Sequence, residues 1–223
     1  MGEVYKTYRN NSGEVLKIVY DSTPENPLEG ADTLFTYSTW LSRYESLQPT
    51  EFADAESFID YYLGEGAFDR YRSQCLHEGK GIVQFADYLC ELLNIRKGIL
   101  AFPILSQVHS NVHYYLGSSI DRWEGSIAGF AWVEKSKVYK EFTVSKISAK
   151  LLDRLKNGVS SDLNLYNKYA NGEVYGYEFF NSTGDLVDSC YGFYEWDDTT
   201  SSLLADIYEY LSTKDLSFVE VQS

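Results

Sequence analysis

The side chains from which a metal or catalytic centre would be assembled here are His77, His109 and His113, Cys75, Cys90 and Cys190, and a large supply of carboxylates. His109 and His113 stand four apart, so either a strand or a helix turns them roughly the same way. Cys75 and His77 place two soft ligands on neighbouring positions. Zinc takes four donors from Cys, His, Asp or Glu, and its strong signature, two closely spaced ligand pairs, is absent. Surface or hydrogen-bonded histidines are the plainer reading of these residues. Acidic pairs occur at Asp197-Asp198 and around Asp121 and Glu124, but neighbouring acids arise by chance in so acidic a chain. Asp197-Asp198 suits a solvated helix N-terminus, where negative charge is favourable. There is no dinucleotide fingerprint, phosphate-cradling loop or nucleophile elbow. Gly79-Lys80-Gly81 lacks the outer glycine and hydroxyl partner that a phosphate loop requires. No residue is assigned a catalytic role.

Charge is more informative. Nineteen Lys and Arg stand against 33 Asp and Glu, a net charge of −14. From Glu173 to Ser223 eleven acidic residues meet a single basic one, Lys214, so this stretch alone carries −10. Such a field repels nucleic acid and membrane surfaces and attracts basic protein surfaces, whose usual task is to hold phosphates. The candidate partner-binding residues are therefore Glu195, Trp196, Asp197, Asp198, Asp206, Tyr208 and Glu209, aromatic anchors within an acidic rim. Arg43, Arg70, Arg72, Arg96 and Lys97 are interleaved with acids, and the lysines from Lys135 to Lys156 read as a solvated face of one helical region. Direct nucleic-acid binding is not expected.

The elements that must position these residues are an α+β set. Apolar residues make up 44% and aromatics 16%, enough burial to offset the entropy of ordering. No stretch approaches the ~18 apolar residues of a membrane span, and no signal peptide is visible. With three separated cysteines and no CxxC, a disulfide framework is not expected and a cytoplasmic location follows. Two hairpins are predicted, Val4–Tyr8 with Glu14–Tyr20 around Asn10-Asn11-Ser12-Gly13, and Glu173–Phe180 with Leu186–Tyr194 around Asn181–Asp185. Further strands are expected at Thr33–Trp40, Ile99–Gln107, Val112–Leu116 and Ile127–Glu134. Helices are expected from an Asp54 cap to Leu63, within Ala67–His77 and over Ile82–Asn94; the longest runs from Ile147 to about Tyr169, and another covers Thr199–Leu211. Phe218–Val221 reads as a closing edge strand. The whole is a single α+β domain over 1–223: a mixed or antiparallel sheet built from hairpins, with a helical insertion at about 50–96 and a long helix packed on it.

Four stretches, in order, resemble a family of acidic proteins encoded by phages, prophages and other mobile elements of Gram-positive bacteria. They are Asp21-Ser22-Thr23-Pro24-Glu25-Asn26-Pro27; His109-Ser110; Trp123-Glu124-Gly125-Ser126 followed by Gly129-Phe130; and Tyr166-Asn167-Lys168-Tyr169 with Gly172-Glu173-Val174-Tyr175-Gly176-Tyr177 and Asp188-Ser189-Cys190-Tyr191-Gly192-Phe193. Val108, Asn111 and Glu124 depart from the family pattern, which has an acid, a glycine and an aspartate at those places. The chain looks like the Cas9 inhibitors (type II-A anti-CRISPR proteins) of streptococcal prophages. The resemblance implies one structural zinc ion, with His109 as nitrogen ligand, Asp21 and Glu124 as oxygen ligands and Cys190 in reserve.

The resemblance and the charge together imply a counter-defence protein that binds Cas9, or another nucleic-acid-binding effector, and blocks target-DNA loading without chemistry of its own. The alternatives are a metal-dependent hydrolase of nucleotides or phosphoesters, which needs His109 and carboxylates around an open metal position, and a DNA-mimic antirestriction protein.

Overall fold

The computed structural model describes residues 2–30, 33–121, 123–194, 207 and 219–221. The chain divides into two compact units: Met1–Asn26 with Lys168–Ser223, and Pro27–Asn167. The class is α+β with antiparallel sheets, as the sequence predicts.

The first unit is built on a five-stranded sheet. Strands β1 (Val4–Arg9), β2 (Val15–Tyr20), β7 (Tyr175–Phe180), β8 (Leu186–Phe193) and β9 (Val219–Glu220) lie in the order β8-β7-β2-β1-β9. Both expected hairpins are present. The long-range step is β2 against β7, which pairs Val15 with Phe180 and Tyr20 with Tyr175. Alternation along these strands gathers Leu16, Ile18, Tyr177, Phe179 and Phe193 into one buried cluster, which Ile207 joins. β9 realises part of the expected Phe218–Val221 strand by pairing with Tyr8 and Arg9. The expected Thr199–Leu211 helix lies outside the described residues apart from Ile207.

The second unit holds a four-stranded sheet of β3 (Thr36–Thr39), β4 (Ile99–Val108), β5 (Val112–Tyr115) and β6 (Gly125–Glu134), ordered β3-β6-β4-β5. The predicted helical block is real: α1 (Ala55–Leu63), α2 (Ala67–His77) and α3 (Ile82–Lys97). Asp54 starts α1 by accepting the Ser57 N–H at 2.7 Å. At the end of α3, Gly98 takes the left-handed conformation that closes a helix, and β4 follows at once. The three helices bury Phe58, Ile59, Phe85, Leu89 and Leu93 together with Phe130 and Ala101 of the sheet. α5 (Ala149–Ala170) serves the opposite face, where the Tyr37 phenol bonds Asp162 and Lys156 lies over the Phe102 ring.

One expectation changes. The lysines from Lys135 to Lys156 do not share one helix. A separate α4 (Lys135–Glu141) ends at Phe142, and Thr143 follows with φ 51 before α5 begins. None of the described helices is long and apolar enough to cross a membrane. All three cysteines are free, with Cys75 and Cys90 buried and Cys190 exposed.

Candidate functional site

β4 pairs with both β5 and β6, and this brings the second and third resembling stretches together. His109 follows the end of β4 and Glu124 precedes β6. The register sets Gln107 opposite Gly125, and the Val108 N–H donates to the Glu124 carbonyl at 3.2 Å. His109 Nδ1 then lies 2.8 Å from Glu124 Oε1, and Gln107 Nε2 donates to the other carboxylate oxygen at 3.3 Å. Asp121 is not a second acid for this pair. Its Oδ1 accepts the N–H groups of Trp123 and Glu124 at 2.8 and 2.9 Å and so builds the turn. Gly125 fits because any Cβ there would stand 2.6 Å from the Asp121 backbone.

The other metal candidates are dispersed. His113 Nδ1 sits 3.1 Å from Asn167 Nδ2. That same Asn167 amide bonds both backbone groups of Tyr114 at 2.8 Å, continuing the ladder of β5 with a side chain. Two positions on a helix are separated by about 200°; Cys75 is accordingly buried and His77 exposed. Asp21 and Cys190 belong to the first unit, whereas His109 and Glu124 belong to the second. Asp21 Oδ1 accepts the Thr23 N–H at 3.0 Å, and the Cys190 thiol faces the Tyr191 carbonyl at 3.9 Å. Among the described residues no three His, Cys, Asp or Glu side chains are grouped so as to hold a metal ion. A structural zinc needs four donors. Among the described residues of the second unit His109 and Glu124 supply two, short of the set that the zinc implied by the resemblance requires.

The first unit contains a cleft of about 450 Å3 that joins the first and fourth resembling stretches. Asp21, Thr23 and Glu25 line one side, and Tyr191, Gly192 and Tyr194 the other. The geometry follows from one extra residue. The pairing of β7 with β8 steps from Gly176–Tyr191 to Tyr175–Phe193, leaving Gly192 as a bulge at φ 89. The bulge puts Phe193 into the core and Tyr191 on the opposite face. There the Tyr191 ring covers Gly176, where a Cβ would approach it to 2.3 Å. Its hydroxyl reaches along the strand to donate to Glu178 Oε1 at 2.8 Å. Burial, the Glu178 carboxylate and Asp21 together push the Tyr191 phenol up to about 12. Tyr194 donates to the Glu25 carbonyl at 2.8 Å, and burial with Asp21 and Glu25 raises its phenol as well.

No Lys or Arg is among the described residues that line this cleft. Its walls are carboxylates and phenols, the lining that receives an ammonium or guanidinium group. The resemblance implies Asp21 as a metal ligand and does not set Glu25, Tyr191 and Tyr194 beside it, as the cleft does. The signal was the Tyr-Gly-Phe bulge opposite a strand glycine. The proposed partner-binding residues Glu195, Trp196, Asp197, Asp198, Asp206, Tyr208 and Glu209 lie outside the described residues. Comparison with known proteins adds no relative: no protein-family model, no curated protein and no solved structure matches the chain.

Proposed function

We propose that this chain is a non-catalytic inhibitor that docks on the basic, polynucleotide-gripping surface of a bacterial defence effector, Cas9 foremost, and keeps target DNA from loading. It acts in the cytoplasm of the host bacterial cell, where that effector works. The observation that carries the reading is the charge: a net −10 over Glu173–Ser223 with one lysine in the stretch. The acid- and phenol-lined cleft supports it, because such walls receive cationic side chains and hold no cation of their own among the described lining residues. An effector that holds a guide–target duplex in a positively charged channel presents the complementary surface. Docking of this kind needs no reaction step, and steering by opposite charge speeds encounter.

The test is capture of purified Cas9, and in parallel of restriction enzymes, over a salt series with a DNA-cleavage readout. Binding should fall at least about tenfold between low and moderately high ionic strength as the field is screened. Absence of both binding and inhibition at low salt refutes the proposal. Inhibition confined to restriction enzymes would favour DNA mimicry instead.

A further inference from the structure

The second unit contains a pocket of about 350 Å3 between its three-helix layer and β6. Its inner walls are apolar: Trp40, Phe68, Leu89 and Phe130 all face it. Leu89 and Phe130 are almost fully buried, so the floor belongs to the packed core and is preformed. The rim is different. Ile82, at the start of α3, lines the pocket and still exposes 53% of its surface. Beside it stand Ala55 and two exposed acids, Asp54 and Glu56, and no Lys or Arg is among the described lining residues. Asp54 caps α1 through one carboxylate oxygen, which leaves the charge of both acids at the opening.

An apolar interior with an acidic rim selects its occupant. An apolar cavity of about 150 Å3 accepts benzene, so this one has room for a ring together with its methylene. A concave, mostly apolar pocket with few polar groups is the common form of a binding site. Two carboxylates at the mouth disfavour an anionic guest and favour one flanked by cations. We infer that this pocket seats an apolar side chain, aromatic in the best case, that projects from a basic segment of a protein partner. The inference rests on the reading of this chain as a binder of basic protein surfaces and adds a second, anchoring contact in the other unit. Charge brings the surfaces together, and a buried ring at the centre of the contact supplies the affinity.

The test uses the full chain and three peptide amides: one central phenylalanine flanked by lysines, the same peptide with alanine at the centre, and the same peptide with glutamates in place of the lysines. Methyl signals of Ala55, Ile82 and Leu89 report pocket occupancy by NMR. The phenylalanine–lysine peptide should shift these signals saturably, and the other two should bind at least about tenfold more weakly. Ala55→Trp, which fills the mouth from the first turn of α1, should abolish the shifts while leaving the thermal midpoint unchanged or higher. Glu56→Gln should weaken binding several-fold. Equal binding of the alanine peptide or of the glutamate peptide overturns the inference, as does a shift that survives Ala55→Trp in a folded variant. The effector arm separates the two claims. If wild-type protein binds the phenylalanine–lysine peptide but no defence effector, the pocket stands and the proposed function falls. If the effector is captured equally by wild type and by Ala55→Trp, the function stands and the pocket assignment falls.

Discussion

Asn10 and Asn181 build the same turn twice at one end of the first sheet. Each side-chain oxygen accepts the N–H groups two and four residues ahead: Ser12 and Glu14 at 3.1 and 2.9 Å, Thr183 and Asp185 at 3.0 and 2.8 Å. Each Asn is followed three residues later by a glycine in the left-handed region, Gly13 at φ 82 and Gly184 at φ 88. Because Val15 pairs with Phe180, the two turns leave the sheet side by side. Asn10→Ala removes two such bonds at a buried position and should cost about 1–2 kcal/mol in chemical denaturation. Asn181→Ala, at a more exposed turn, should cost less. The Asp185 carboxyl is held below its ordinary value by Thr183 and Asn181. Its contribution is present above that ordinary value and is lost as pH falls through the lowered one. An unchanged midpoint for Asn10→Ala would show that the glycine alone closes the turn.

Tyr191→Phe tests the architecture of the cleft. Glu178 is only 5% exposed and accepts the Tyr191 hydroxyl. Removing that donor should cost about 1–3 kcal/mol, because a buried acceptor loses its partner. The phenol is pushed up from 10.0 to about 12, so its contribution is whole below the unfolded value and disappears as pH rises from there through about 12. Shape and charge of the cleft survive Tyr191→Phe, so effector binding should persist in the folded variant. Asp21→Asn with Glu25→Gln should instead leave the fold intact and weaken binding several-fold at low salt, with a shallower salt slope. Equal binding by wild type and this double variant would remove the cleft from the interface.

What sequence made legible was local. The two Asn-x-x-Gly turns and the Asp54 cap each announce themselves within a few residues, and the hairpins and the helix they bound are present. His109 and Glu124 were set together only by the resemblance, because β6 pairs with β4 past β5 and no hairpin joins the two residues. The break between α4 and α5 was hidden. It rests on Thr143 at φ 51, a conformation no β-branched residue advertises, and no Gly or Pro marks the place. The pairing of β2 with β7 joins segments about 160 residues apart in the chain, a separation no period or turn signal crosses. The cleft depends on that pairing.

Asp162 makes stability depend on pH in the direction opposite to an ion pair. The Tyr37 phenol donates to its carboxylate, yet burial outweighs that bond and holds the carboxyl above its ordinary value of 3.8. A carboxyl raised in the folded state favours folding below the unfolded value, and this advantage is lost as pH rises through the folded one. Asp162→Asn keeps an acceptor for the phenol and removes the charge. It should therefore be as stable as wild type at neutral pH, or more stable by up to about 1 kcal/mol, and should lose that lead below about pH 4. Tyr37→Phe, which strands the half-buried acid, should cost about 1–3 kcal/mol. Denaturation at several pH values, read as the difference between variant and wild type, isolates this group from the other carboxylates. A difference that grows in favour of Asp162→Asn as pH falls would reverse the sign and refute the account.

His109 and Glu124 form the contact on which a metal site would have to grow. The imidazole is 81% exposed and the carboxylate 33%, so water screens the pair and long-lived attraction between them is small. His109→Ala should change stability by less than about 1 kcal/mol. A chelator should leave the thermal midpoint of wild type where it was, since among the described residues no third donor is grouped with this pair. Effector binding should be unaffected by either treatment, because neither alters the acidic cleft. Stoichiometric zinc in the purified chain, together with a loss of several kcal/mol in His109→Ala, would instead make this loop pair a metal centre completed by side chains beyond Glu124 and return the hydrolase reading to contention.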